Sequence, residues 1–340
     1  MRRAFIVSVI VGLALALAIR EYRLHRRVPL EEAYIGGQGA TVWNSTAQIR
    51  LPVANLAYGQ PVQIYQRDAD NVLVSTPAGV RGWVSSVSLM DPDIWRRVAL
   101  LAETTKSMPV QAVGRTRARA NLHTRPGRQS PVILEAPDDS PVIVLQHAEV
   151  ASQRRPLDAD AGPPQNSEDW WLVRASVKDA GDVSGWVLGR LVSLDLPEPL
   201  PEYQSSEAMT IVAWFEINRV KDPSSNGYRP DYLVAGTRGP QGGCDFTLTR
   251  VYTWSVKRHR YETAFLDSRL CGKLPVDVTP AKIPGGDAYF RFQNLGANGV
   301  ENRAYDMKLT TVHRMDVASR AAQRKTLRQN ERPSPRRSHS

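Results

Sequence analysis

Between Ala33 and Met90 apolar and polar positions alternate in short bursts, ATVW, PVANLA, PVQIYQ, NVLVST and GWVSSV, separated by turn-forming residues. A period of two over five or six residues predicts half-buried strands, and their close spacing predicts antiparallel connections. Thr76-Pro77-Ala78-Gly79 reads as one of the turns, since proline presets φ and glycine accepts the positive φ that closes a hairpin. A sheet this small has exposed edges unless it curls shut, so the pattern predicts a small β-barrel over 33–91.

The period then changes. In DPDIWRRVALLAETTKSM, Ile94, Trp95, Val98, Leu101 and Ala102 recur at helical spacing behind an acidic cap at Asp91 and a proline just inside it. These features predict a helical connector from about Pro92 to Lys106, within 92–108, with Trp95 as a packing residue. A second β run follows over 109–196: ARANLHTRPG, SPVILEA, SPVIVLQHAEV, a polar proline-rich excursion from Ala151 to Glu168, then WWLVRASV and SGWVLGRLVSL. The excursion reads as an exposed loop, because it has too little apolar surface to bury. Trp83 and Trp186 lie 103 residues apart, each in a Gly-Trp-Val followed by a strand ending in Ser-Leu. That interval is a duplicated domain plus its linker.

The segment NLHTRPGRQSPVILEAPDDSPVIVLQ…WWLVR…GWVLGRLV resembles bacterial SH3-like (SH3b) domains, with Asn121, Arg125, Pro126, Gly127, Trp171, Gly185 and Trp186 on the matching positions and His123 where the family commonly has arginine. The match covers Gly114 to Leu194 and is weaker over Ala33 to Met90, where the later strands and Gly82-Trp83-Val84 carry it. The whole arrangement, including KRHRYETAF downstream, is similar to a group of membrane-associated SH3-like proteins of soil bacteria. The resemblance implies two SH3-like barrels joined by a helix, used for binding, without naming a ligand.

A third region, 207–316, is again β in pattern. In FTLTRVYTWSV, Phe246, Leu248, Tyr252, Trp254 and Val256 share one parity, as a half-buried strand requires. Lys257-Arg258-His259-Arg260 reads as a basic hairpin turn, with further strands at MTIVAWFEINRV, DYLVAGT, DAYFRF and AYDMKLTTV. Five or six strands suit a β-sandwich or a second barrel type, and the pattern does not choose between them. The fold class is thus mainly β. Beyond Met315 the composition predicts a disordered basic tail over 317–340.

At the other end, Arg2 and Arg3 precede an unbroken apolar run from Ala4 to Ile19, which assigns 1–27 to an N-terminal hydrophobic helix. It serves as a signal anchor, a signal peptide cleaved after Ala16-Leu17-Ala18, or a buried core helix. Envelope context favours a periplasmic body, membrane-anchored or secreted after cleavage. Arg20, Arg23, Arg26 and Arg27 pull the other way, since the positive-inside rule keeps such a flank in the cytoplasm.

Charge and chemistry narrow the function. The formal net charge is +10, but Ala318 to Ser340 carries +6 and Met1 to Glu32 carries +3, leaving +1 for the body. A nearly neutral body lacks the phosphate-neutralising surface of a nucleic-acid binder. The two cysteines, Cys244 and Cys271, lie 27 residues apart and are either a disulfide staple or two buried thiols; alone they cannot close a zinc site. No G-x-S-x-G, H-E-x-x-H or phosphate-cradling glycine loop occurs, Cys244 with His259 lacks the setting of a catalytic pair, and the loop acids Asp138, Asp139, Asp158 and Asp160 read as solvated. The reading is a non-enzymatic protein with no cofactor and no metal. What remains is aromatic recognition by Trp83, Trp170, Trp171 and Trp186. Adjacent strand residues face opposite ways, and Trp170 is the expected surface member of its pair. The expected partner is cell-wall peptide, peptidoglycan glycan or an envelope protein. The rival reading is a membrane-tethered scaffold whose C-terminal domain docks another protein, with the barrels as spacers.

Overall fold

The computed structural model describes residues 29–152, 167–224, 227–239 and 242–315. The apolar run from Ala4 to Ile19, the basic tail and most of the proline-rich excursion lie outside the described residues. Among the described residues no helix is long and apolar enough to cross a membrane. The fold is mainly β, with three seven-stranded antiparallel sheets and two α-helices among the described residues.

The first sheet contains β1 (Glu31–Ile35), β2 (Ala40–Trp43), β3 (Pro52–Leu56), β4 (Pro61–Asp68), β5 (Asn71–Ser75), β6 (Arg81–Ser85) and β7 (Leu89–Met90), in the order β3-β2-β6-β5-β4-β1-β7. Alternation places Ile35, Val42, Val62, Ile64, Val72 and Val84 in its core. Helix α1 (Pro92–Lys106) follows on the residues its periodicity predicts, and Asp91 caps it, accepting the Asp93 N–H at 2.7 Å. Trp95 is a packing residue: it stacks on Tyr34 at 5.1 Å and meets Tyr58 edge-on at 5.6 Å.

The second sheet contains β8 (Ala112–Thr116), β9 (Ala120–His123), β10 (Val132–Ala136), β11 (Pro141–Ala151), β12 (Ser167–Val177), β13 (Gly181–Leu188) and β14 (Val192–Leu194), in the order β10-β9-β13-β12-β11-β8-β14. Numbered within each copy, the order is the same as in the first sheet. Each copy also ends on a single 3-10 turn, Ser86–Ser88 or Gly189–Leu191, that leads into its last strand. The repeated Gly-Trp-Val has one physical explanation in both. A Cβ on Gly82 would lie 2.5 Å from the Trp43 carbonyl oxygen, and one on Gly185 would lie 2.8 Å from Leu122 Cβ. Glycine lets β6 close on β2 and β13 on β9. The following tryptophan faces outward, and the valine, Val84 or Val187, fills the core.

The third sheet is a meander in chain order: β15 (Thr210–Asp222), β16 (Gly227–Thr237), β17 (Phe246–Ser255), β18 (Arg260–Thr279), β19 (Ala288–Gly296), β20 (Gly299–Lys308) and β21 (Thr311–Met315). It has seven strands rather than five or six. The last apolar stretch is two strands, turning at Leu309, and β18 runs on through Cys271 and Pro275, where the alternation is too broken to read. The half-buried reading of β17 needs correction, because both its faces are covered. Phe246 and Val251 enter one core with Phe290 and Tyr305, whereas Leu248 and Tyr252 enter another with Leu200 and Met209. Bulges at Phe246/Leu248 and Val251/Tyr252 break the parity, and helix α2 (Leu200–Ser206) supplies Leu200 and Tyr203 to the second core.

The second and third sheets belong to one compact unit. Fully buried Gln111 joins them: its N–H donates to the Val144 carbonyl at 2.8 Å, its carbonyl accepts from Trp214 N–H at 3.0 Å, and its side-chain amide exchanges bonds of 2.7 and 3.3 Å with Val276. The side chain thereby acts as one more strand residue beside β18.

Candidate recognition surface

The first sheet turns one cross-strand row outward. Trp43 on β2 pairs with Trp83 on β6, Trp83 with Leu73 on β5, and Leu73 with Gln66 on β4. Trp43, Leu73 and Trp83 are half-buried, while their neighbours Val42, Val72, Val74 and Val84 are in the core. At one end of the row the loop from Asn44 to Leu51 is closed by two bonds, Leu51 N–H to Asn44 Oδ1 at 3.0 Å and Asn44 N–H to Leu51 O at 3.1 Å. That closure returns the chain so that the Arg50 guanidinium lies over the Trp43 ring, 4.4 Å from its centroid.

A second outward row is offset along the strands: Gln63 on β4 pairs with Ser75 on β5, which pairs with Arg81 on β6. A bulge between Ile64 and Gln66 places Tyr65 on this face, where its hydroxyl donates to Gln63 Oε1 at 3.1 Å. The Arg81 guanidinium lies 4.7 Å from the Tyr65 ring centroid. Among the described residues neither Arg50 nor Arg81 has a carboxylate partner. A guanidinium held over a ring by cation–π attraction keeps N–H groups for an anion, and the ring makes its position less costly to fix.

The equivalent row of the second sheet is different. Trp186, half-buried on β13, pairs with His123 on β9. His123 Nδ1 is 2.8 Å from the Ser130 carbonyl, and its ring meets Trp170 edge-on at 5.1 Å. Burial pushes its pKa down, against the Ser130 hydrogen bond and with the help of Arg128, so it stands as neutral imidazole. Trp170, expected at the surface, is 1% exposed and belongs to the core of this sheet. Trp171 is half-buried but not open: it packs on the core of the third sheet, with its ring 4.9 Å from that of His147. The alternation across Trp170 and Trp171 holds, but the covered outer face is the one that β12 lays against the third sheet.

Beside Trp171 lies a buried charged cluster. His147 is hydrogen-bonded through Nδ1 to Asp245 Oδ1 at 2.9 Å and through Nε2 to Asp169 Oδ1 at 3.1 Å. Asp245, almost wholly buried, also accepts from Lys273 Nζ at 2.5 Å and from Leu274 N–H at 2.7 Å. Burial opposes the charge on His147, but the hydrogen bonds and charges of Asp169 and Asp245 outweigh it and raise its pKa to about 9. Cys244 and Cys271 are joined in a disulfide with their Cα atoms 4.7 Å apart, and Asp245 and Gly272 beyond them are bonded at 2.9 Å. The cluster is therefore a fastening between the second and third sheets. Among the described residues no group of three or more His, Cys, Asp or Glu is placed to hold a metal ion.

Trp83 and Trp186 are thus the sequence-derived candidates that remain on outward faces. Trp43, Arg50, Tyr65 and Arg81 were missed. The alternation in ATVW does signal Trp43, whose neighbour Val42 points inward, but nothing local announces that a loop returns Arg50 to it or that a bulge turns Tyr65 outward.

No family model matches the chain, and no curated protein matches it. Among solved structures it is aligned with NlpC2 from Trichomonas vaginalis, at 10% identity over 70% of this chain and 95% of that one, with a TM-score of 0.17. It is also aligned with an NlpC/P60 family protein from Bacillus cereus ATCC 10987, at 14% identity over 68% and 93% of the two chains, with a TM-score of 0.20. At such scores neither likeness carries an argument.

Proposed function

We propose that the chain is a non-enzymatic binding protein of the cell envelope, in which two SH3-like β modules present recognition surfaces for cell-wall peptide or an envelope protein. The observation that carries this reading is the duplicated strand order with a half-buried, outward tryptophan, Trp83 or Trp186, at the same place in each copy. The disulfide supports an oxidising compartment and hence export, and it leaves Cys244 without a thiolate for catalysis. The apolar run at Ala4 to Ile19 supplies the membrane tether in this reading.

Retention on purified peptidoglycan tests the proposal. Wild type is retained, Trp83→Ala loses at least fivefold in retention, and Trp170→Ala loses it only as far as the second sheet unfolds. Equal failure of wild type and variants to bind removes the cell wall as ligand.

A further inference from the structure

We infer that the outward face of the first sheet binds an extended acidic peptide segment, with two carboxylates four residues apart and an apolar side chain midway between them. The inference rests on the proposed role of this face as a recognition surface and names its ligand class. Its two cations mark the ends of the site. Arg50 lies over Trp43 on β2, and Arg81 lies over Tyr65 on β4. β6 and β5 run between those strands, so the two ring-bearing strands lie three strand spacings apart, roughly 14 Å, and Arg81 reaches Tyr65 from β6 across β5.

An extended chain rises about 3.3 Å per residue and returns its side chains to the same side every second residue, so positions one and five span about 13 Å and point the same way. Position three then lies over Trp83 and Leu73, the apolar middle of the row. Charge complementarity selects the acidic peptide: both guanidiniums lack a carboxylate among the described residues and are fixed by their rings.

The test uses the full chain in detergent and fluorescein-labelled peptides read by anisotropy at low salt. One peptide has glutamates at positions one and five and leucine at three. A second has the glutamates two apart, and a third has glutamines in their place. The first is expected to bind at least tenfold more tightly than the others, and raising the salt weakens it. Arg50→Gln with Arg81→Gln removes that preference while the melting temperature stays within a few degrees. Arg50→Glu with Arg81→Glu transfers it to a peptide with lysines at one and five, a rescue that a misfolded variant cannot give.

Equal binding of both glutamate spacings overturns the inference, as does binding of a polyuronate without binding of the peptide. Wall retention undiminished in the double glutamine variant, with no peptide binding, overturns it and leaves the cell-wall reading standing. Peptide binding without wall retention upholds it and removes the wall as ligand.

Discussion

Asp231 is held where its charge is least welcome. It is fully buried on β16; Oδ1 accepts the Trp254 N–H at 3.1 Å, and Oδ2 has no partner among the described residues. Burial raises its pKa to about 7, against the pull of that one hydrogen bond. An unfolded aspartate releases its proton near 4, so between about pH 4 and 7 the folded chain holds more protons and stability falls as the pH rises. Asp231→Asn keeps an acceptor for Trp254 and removes the titration. Thermal melts should show it as stable as wild type at pH 4 and more stable, by on the order of 1–2 kcal/mol, at pH 8; a lower melting point at pH 8 would contradict this account. At this scale the sequence was an uneven guide. Val84 and Val187 were legible as core by parity, but the exposed member of the Trp170/Trp171 pair was not, because parity assigns two faces without saying which one another sheet covers.

The elements show where local pattern suffices. Most strands of the first two sheets and α1 were legible, because each carries its period and its stop signals within a dozen residues, whereas β1, β7 and β8 were not singled out. The ends of β18 and the second face of β17 were not, since they depend on bulges and on α2, whose Leu200 lies 48 residues upstream of Leu248. The start of β17 and the middle of β18 are joined twice, by Cys244–Cys271 and by the bonds of Asp245. Closing a loop of this length contributes about 3 kcal/mol. Denaturant unfolding of Cys244→Ser with Cys271→Ser should show a loss of that order, and an unchanged midpoint would mean that Asp245 alone holds the turn. His147 adds a pH dependence of the opposite origin to that of Asp231. Its folded pKa of about 9 lies above the unfolded value near 6.5, so its stabilisation is complete below pH 6.5 and is lost as the pH rises through 9. The amount is on the order of 3 kcal/mol at most. His147→Gln should flatten the stability of the second and third sheets between pH 6.5 and 9, measured by hydrogen exchange; an unaltered slope would place the titration elsewhere.

In the whole molecule, the basic balance of the chain lies in its ends, and the proposed recognition face of the body rests on two ring-stacked arginines rather than on net charge. The mainly β class was legible because alternation dominates every region. The candidate face was legible in part: Trp83 stood out through its repeat, but Arg50 and Arg81 sit among 44 Lys and Arg residues and are singled out only by the rings beneath them. Duplication has a further consequence. In the later copy Gln111, His147 and Trp171 are committed to holding the neighbouring meander, so a substitution there endangers the frame before it can change specificity. In the earlier copy Trp43, Leu73 and Trp83 form one outward row within a single sheet, so substitutions on those three strands can alter that surface without touching the residues that fasten the later copy to its meander.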